Sequence, residues 1–158
     1  RNVAVVVSSS RTSAKTARAA AFRATMAEHG IPCTQWNNGT NSYQAGVDAA
    51  RGLLGGADLD GIFGVTDEIA LGVLNTARFE LGLNVPGDLS VIGFDDAPIS
   101  NWASHSLTTI SQPLEALTRA TLEAIDLSAE APPARFEIPV QLIERGSVAS
   151  AQDCTAEQ

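Results

Sequence analysis

An α/β fold, a doubly wound and mostly parallel sheet with helices on both faces, is predicted by three features of this sequence. First, short apolar runs such as Val3-Ala4-Val5-Val6-Val7, Gly61-Ile62-Phe63-Gly64-Val65 and Leu89-Ser90-Val91-Ile92-Gly93-Phe94 read as strands buried on both faces. Second, longer segments with helically spaced apolar residues separate these runs and stop at Gly30, Gly55-Gly56 and Gly82. Third, strand and helix alternate with a spacing of about 30 residues, the length of a βαβ unit. Right-handed crossovers then distribute the helices over both sheet faces.

Composition narrows the class. The chain of 158 residues suits one domain with an ordinary core. No apolar run reaches the roughly 18–20 residues of a membrane span, and no charged start, apolar stretch and cleavage site mark a leader. The sequence starts at Arg1, without Met, just before a strand-like run, so a fragment or processed chain is expected. A formal net charge of -8 repels phosphate backbones, so this segment is not expected to bind nucleic acid by itself. Charge is uneven, however: Arg1, Arg11, Lys15, Arg18 and Arg23 face only Glu28 among the first thirty residues or so. Cys33 and Cys154 read as free thiols of a reducing, cytoplasmic compartment. Of the two histidines and two cysteines only His29 and Cys33 stand near one another, and no Cys/His metal-site spacing is present, so no metal site and no cofactor are expected.

In chain order, the first strand leads through Ser8-Ser9-Ser10 to a helix over Ser13–His29, capped by Thr12 or Ser13. Its alanines, Ala17, Ala20, Ala21, Ala24 and Ala27, with Phe22 and Met26, offer close-packing faces. The polar strand Cys33–Trp36 suggests a less buried position, with Trp36 as core. After the turn cluster Asn37–Asn41, Ser42 caps a helix over Tyr43–Leu54. Following the Gly61–Val65 strand, Thr66 or Asp67 caps a helix to Leu81, and Asn84-Val85-Pro86-Gly87-Asp88 turns the chain into the Leu89–Phe94 strand. An irregular segment, 97–106, precedes the strand Leu107–Ile110. A helix over 113–127 follows, opened by Pro113, then the loop at Pro132-Pro133 and a strand pair over Phe136–Ile143 interrupted at Pro139. Residues beyond Ser147 read as a polar tail.

The chemistry concentrates at Asp95-Asp96, just past the C-terminal end of a strand, where open α/β sheets bind ligands. The loops carrying Ser8–Thr12, Thr66-Asp67 and Asp95-Asp96 meet at one edge if their strands are neighbours. A phospho-acceptor receiver domain is disfavoured, because it places its acidic pair early and needs a lysine after a late strand, whereas the single lysine here is Lys15. No Gly-x-Ser-x-Gly elbow, Walker lysine or Gly-x-Gly-x-x-Gly is present, so nothing points to an enzyme. Two readings of Asp95 remain: a carboxylate capping local amides, or a bidentate contact to a ligand's hydroxyls or ring nitrogens.

Three blocks resemble the lactose/galactose-repressor (LacI-type) family: Asp60 through Leu74 (DGIFGVTDEIALGVL), Glu80 through Asp96 (ELGLNVPGDLSVIGFDD) and Leu107 through Leu114 (LTTISQPL). They stand in the family's order and spacing, and the match runs from the first strand to Glu144-Arg145-Gly146-Ser147. The resemblance implies one lobe of a periplasmic-binding-protein-like type I core, from a ligand-responsive bacterial transcription regulator. Residues 1–107 are the C-terminal lobe, 108–139 a crossover and helix belonging to the other lobe, 140–147 a return strand and 148–158 the tail. Operator DNA would be bound only through a helix-turn-helix missing from this chain, and a homodimer is implied.

By the same resemblance the small-molecule, sugar-like effector is contacted by Arg18, four residues before Phe22, and by Asp95. Thr66 stands where the family usually has Asn, with fewer hydrogen-bonding atoms, and Asn41 stands where many members have a stacking aromatic. Asp67 is read as the helix N-cap and Asp96 as shaping its loop. Leu71, Ile99 and Trp102 are candidates for the dimer surface, each equally readable as core. The helix from Leu114 to Leu127 presents Leu114, Leu117 and Leu122 to an absent lobe. It is expected to pack back on this lobe, to swap with a neighbour, or to stand for a lost partner segment. The alternative function is a periplasmic or extracellular solute-binding protein of the same architecture.

Overall fold

The computed structural model describes residues 1–9, 12–39, 42–56, 58–126 and 135–149. Asn41, Cys154, the Pro132-Pro133 loop and most of the polar tail lie outside the described residues. Six strands form one sheet: β1 (Val3–Val6), β2 (Cys33–Trp36), β3 (Gly61–Gly64), β4 (Ser90–Asp95), β5 (Thr108–Ser111) and β6 (Gln141–Ile143). Their order is β2-β1-β3-β4-β5-β6, parallel except for β6, which runs antiparallel to β5. The polar β2 therefore occupies an edge, as its sequence suggested.

The helices are α1 (Ser13–Glu28), α2 (Ser42–Leu54), α3 (Asp67–Asn75) and α4 (Leu114–Asp126). The connection β1-α1-β2 steps outward across the sheet, while β2-α2-β3 and β3-α3-β4 step the other way. Right-handed crossovers thus place α1 on one face and α2 with α3 on the other. Ile69, Ala70, Val73 and Leu74 of α3 join Ala49, Ala50 and Leu53 of α2 in a buried core with Val5, Ile62 and Val91 of the sheet. The two helices cross backbone to backbone. A Cβ on Gly46 would fall 2.1 Å from the Ile69 carbonyl oxygen, and one on Gly72 would fall 2.2 Å from that of Tyr43.

Several expectations are corrected. Only Ala19 of α1 is buried, so its alanine faces are largely solvent-facing, with Phe22 and Met26 half-buried. Phe22 meets Phe63 of β3, ring centroids 5.0 Å apart. β4 is not buried on both faces: Val91 and Gly93 are buried, while Ser90, Ile92 and Phe94 are half-buried. The cause is incomplete cover, since beside α1 the sheet leaves an open apolar groove between Val3, Phe22, Met26, Phe63, Ile92 and Val148. The helix expected to reach Leu81 is α-helical only to Asn75 and widens to a π turn over Thr76–Glu80. The expected final strand pair is the single strand β6, and Phe136 to Val140 carry no regular structure.

Among the described side chains of α4 none is buried, and Leu114, Leu122 and Ile125 are exposed. It stands apart from the core that the rest of the chain builds.

Candidate functional site

β1, β3 and β4 are neighbours in the sheet, so the loops after them share one edge. Three sequence-selected residues lie at this edge. Arg18, on the second turn of α1, donates from one guanidinium nitrogen to the Val65 carbonyl at 2.9 Å, and the same nitrogen lies 3.3 Å from Asp95 Oδ1. Its guanidinium carbon is 3.7 Å from the centroid of the Phe94 ring, a cation–π contact. Thr66 is close by in sequence, one residue past Val65. The arginine is mostly covered and the carboxylate of Asp95 about a third exposed, so both keep some contact with solvent.

Asp95 ends β4 with φ 121°, outside the regions ordinary L residues favour. Burial pushes its carboxyl above the ordinary carboxylate value. The Arg18 charge opposes this, the nearby Asp67 charge adds to it, and the hydrogen bonds from Gln112 and Arg18 work downward. Gln112 donates to Asp95 Oδ1 at 2.8 Å. Neither Gln112 nor Phe94 was selected from sequence. The signal for Gln112 is the register, since Asp95 pairs with Ser111 and the next residue therefore falls beside the carboxylate.

Asp67 is not the N-cap of α3. Thr66 is: its hydroxyl accepts from the Ile69 amide at 3.5 Å, with extended backbone at Thr66 itself. Asp67 sits one residue later, is 1% exposed, and points under the sheet edge. Its carboxylate accepts from the Ala97 amide at 2.7 Å, the Ser100 hydroxyl at 2.7 Å and the Thr109 hydroxyl at 2.5 Å. A side chain on Gly93 would collide with it, its Cβ 2.2 Å from Asp67 Oδ1. Asp67 therefore ties the segment after β4 down to α3 and β5. Asp96 shapes the same segment from above, accepting from Arg145 at 2.6 Å.

The three dimer-surface candidates separate. Leu71 is 4% exposed and belongs to the core, because α3 is packed by α2 on one side and the sheet on the other. Ile99 is partly buried against that core. Trp102 is 59% exposed and stacks on His105. An open groove that the sequence did not single out lies between α2 and the π turn, lined by Tyr43, Val47, Asn75 and Phe79. Phe79 is 78% exposed there, and the Asn75 side-chain oxygen is buried without a hydrogen-bond partner.

Among the described residues, no group of three His, Cys, Asp or Glu side chains is placed to hold a metal ion. No described helix is long and apolar enough to cross a membrane.

Comparison with known proteins matches residues 1–148 to the periplasmic binding protein-like domain. The regulator MalR of Streptomyces coelicolor is 40% identical over 110 residues, covering 67% of this chain and 31% of MalR. A solved CelR–cellobiose complex superposes with TM-score 0.76 at 26% identity, covering 92% of this chain and 46% of that one. The lac repressor dimer bound to operator and the anti-inducer ONPF superposes with TM-score 0.82 at 26% identity, covering 95% and 53%. The chain thus spans about a third of the length of MalR and about half of those structures. It belongs to the periplasmic binding protein-like domain family and, within it, to the LacI-type transcription regulators.

Proposed function

We propose that this chain is the C-terminal lobe of the effector-sensing core of a cytoplasmic, dimeric transcription regulator, and that its effector is a sugar-like molecule. The observation that carries this is the Arg18–Asp95 pair at the shared edge of β3 and β4, with Gln112 beside it. A guanidinium held over the Phe94 ring and a carboxylate next to it offer several donors and an acceptor side by side, which matches the adjacent hydroxyls of a sugar. The cellobiose complex of the structural relative CelR supports that class. Thr66 stays a candidate contact through its hydroxyl, and Asn41 a candidate from sequence alone.

Residues 108–139 are read as the crossing to a second lobe, in keeping with an α4 that adds no residue to the buried core here. Effector would bind between the lobes, shift their closure, and alter operator affinity through a helix-turn-helix outside these residues. Effector and operator must then change each other's affinity reciprocally. No bond is made or broken in this scheme. The groove around Phe79 and the exposed Trp102 are the surface proposed to meet a second copy, and the dimeric lac repressor supports that assembly.

The test uses the full-length regulator. Thermal-shift and calorimetric titration with cellobiose, and then with other sugars, nucleosides and phosphorylated metabolites, should give one saturable stabilising class. Arg18→Ala should abolish the response with the fold intact. Full retention of the response by that variant would remove Arg18 from the site. A leader sequence encoded upstream instead of a helix-turn-helix would favour the solute-binding alternative.

A further inference from the structure

We propose that the return segment Glu144–Ser147 is a clamp that sets the orientation of the Asp95 carboxylate, with Arg145 as the positioning residue acting through Asp96. The proposal rests on the effector-site reading of Asp95 and deepens it.

Three consecutive residues of this segment each grip the sheet end. Arg145, 13% exposed, spans the mouth of the loop that follows β4. One guanidinium nitrogen donates to Asp96 Oδ1 at 2.6 Å, and the other donates to the Leu107 carbonyl at 2.8 Å, so a single side chain holds both ends of that loop. Its own amide donates to the Thr108 hydroxyl at 2.9 Å. The Gly146 amide donates to the Ser106 hydroxyl at 3.1 Å. Ser147 is buried; its hydroxyl accepts from the Thr108 amide at 2.8 Å and donates to the Val91 carbonyl at 2.6 Å.

Backbone conformation marks the same place independently. Among the described residues, the non-glycine positions with positive φ are Asp95 at 121°, Asp96 at 53° and Ser106 at 45°. Asp96 and Ser106 are the clamp's own partners, and Asp95 is the residue next to one of them. Aspartate tolerates the left-handed well in isolation, but two successive residues at positive φ, one far outside that well, persist only where surrounding contacts over-determine them. Asp67 supplies the contacts from below, through Ala97 and Ser100, and Arg145 supplies them from above. Without Arg145, Asp95 can return to extended backbone, which swings its carboxylate off Arg18 and Gln112. The clamp is covalently continuous with β6, so the position of the returning chain is translated into the position of an effector contact.

The test is nuclear magnetic resonance of the full chain without effector, reading the amide-to-α-proton coupling of Asp95 and the side-chain amide signals of Gln112. At the Asp95 φ of 121° this coupling is small, and extended backbone makes it large. Arg145→Lys keeps the charge and loses the two-pronged grip; it should enlarge the Asp95 coupling and move the Gln112 signals toward those of a free glutamine. Asp96→Asn should do the same in weaker form and supplies the reading if Arg145→Lys does not fold. Ser147→Ala, which loosens the same segment without touching Asp96, should lower the Tm and leave both reporters in place. Reporters unmoved in whichever of Arg145→Lys and Asp96→Asn fold, whatever their Tm, would overturn the clamp. Because no effector is present, that result differs from failure of the effector reading, which is an absent sugar response in the wild-type regulator.

Discussion

Replacing Asp67 by alanine probes the contact that joins α3 to the segment after β4. The carboxylate is 1% exposed and serves one backbone amide and two hydroxyls at 2.5–2.7 Å. Deleting it orphans the Ala97 amide, a loss of about 1–3 kcal/mol for a buried donor. The hydroxyls of Ser100 and Thr109 can rotate toward other acceptors, so each adds only about 0.5–1.5 kcal/mol. Removing a buried charge returns part of this, leaving an expected destabilisation of about 3 kcal/mol. For a chain of this length that is a Tm drop of about 10 °C. Urea unfolding followed by circular dichroism measures it. A double-mutant cycle with Gly93→Ala sharpens the test, since the new Cβ would lie 2.2 Å from Asp67 Oδ1 but 3.1 Å and 3.3 Å from Leu107 and Ala70. The alanine should be markedly less harmful once Asp67 is gone, with a coupling of about 1 kcal/mol or more. A loss below about 1 kcal/mol for Asp67→Ala, or strict additivity in the cycle, would refute this account of the carboxylate.

Asp95→Asn should raise the Tm at neutral pH. Burial lifts the folded carboxyl above its unfolded value, so its contribution is present below the unfolded pKa and is lost as pH rises through the folded one; the gain from asparagine should therefore fade on acidification through the carboxylate range. Differential scanning calorimetry between neutral and acidic pH reads this, and a lower Tm for the variant at pH 7 would contradict the sign. Thr66→Ala removes the α3 cap and should lower stability by about 1 kcal/mol in urea titrations. Phe79→Glu alters a side chain that is exposed in the single chain, so sedimentation should show weakened self-association of the full-length regulator with its Tm extrapolated to low concentration unchanged.

What the sequence disclosed and what it hid have physical reasons. Strand identity and the edge placement of β2 follow from local composition, because β-branched apolar runs and the polar Cys33–Trp36 carry that information within four or five residues. The meeting of Arg18 with Asp95 was legible through family resemblance and strand adjacency. Capping at Thr66 or Asp67 was ambiguous because both side chains can cap and they stand one position apart; the backbone angle at Thr66 decides it. Leu71 stayed open between core and dimer surface because periodicity alone cannot tell a core neighbour from a partner molecule; the packing of α3 between a second helix and the sheet decides for the core. Arg145 was invisible, since its partners Leu107 and Asp96 lie 38 and 49 residues away and no local pattern announces such a contact.

The glycine contact between α2 and α3 has a mechanical consequence. Where Gly46 and Gly72 let two backbones touch, there is no layer of side chains between the helices to shear or re-pack. The pair therefore behaves as one stiff plate. Thr66 and Asp67 sit at one end of that plate, under the proposed cleft, while Tyr43 and Phe79 face outward from it. A tilt begun at the cleft end would carry both helices with it toward the outward face, where a second copy is proposed to rest.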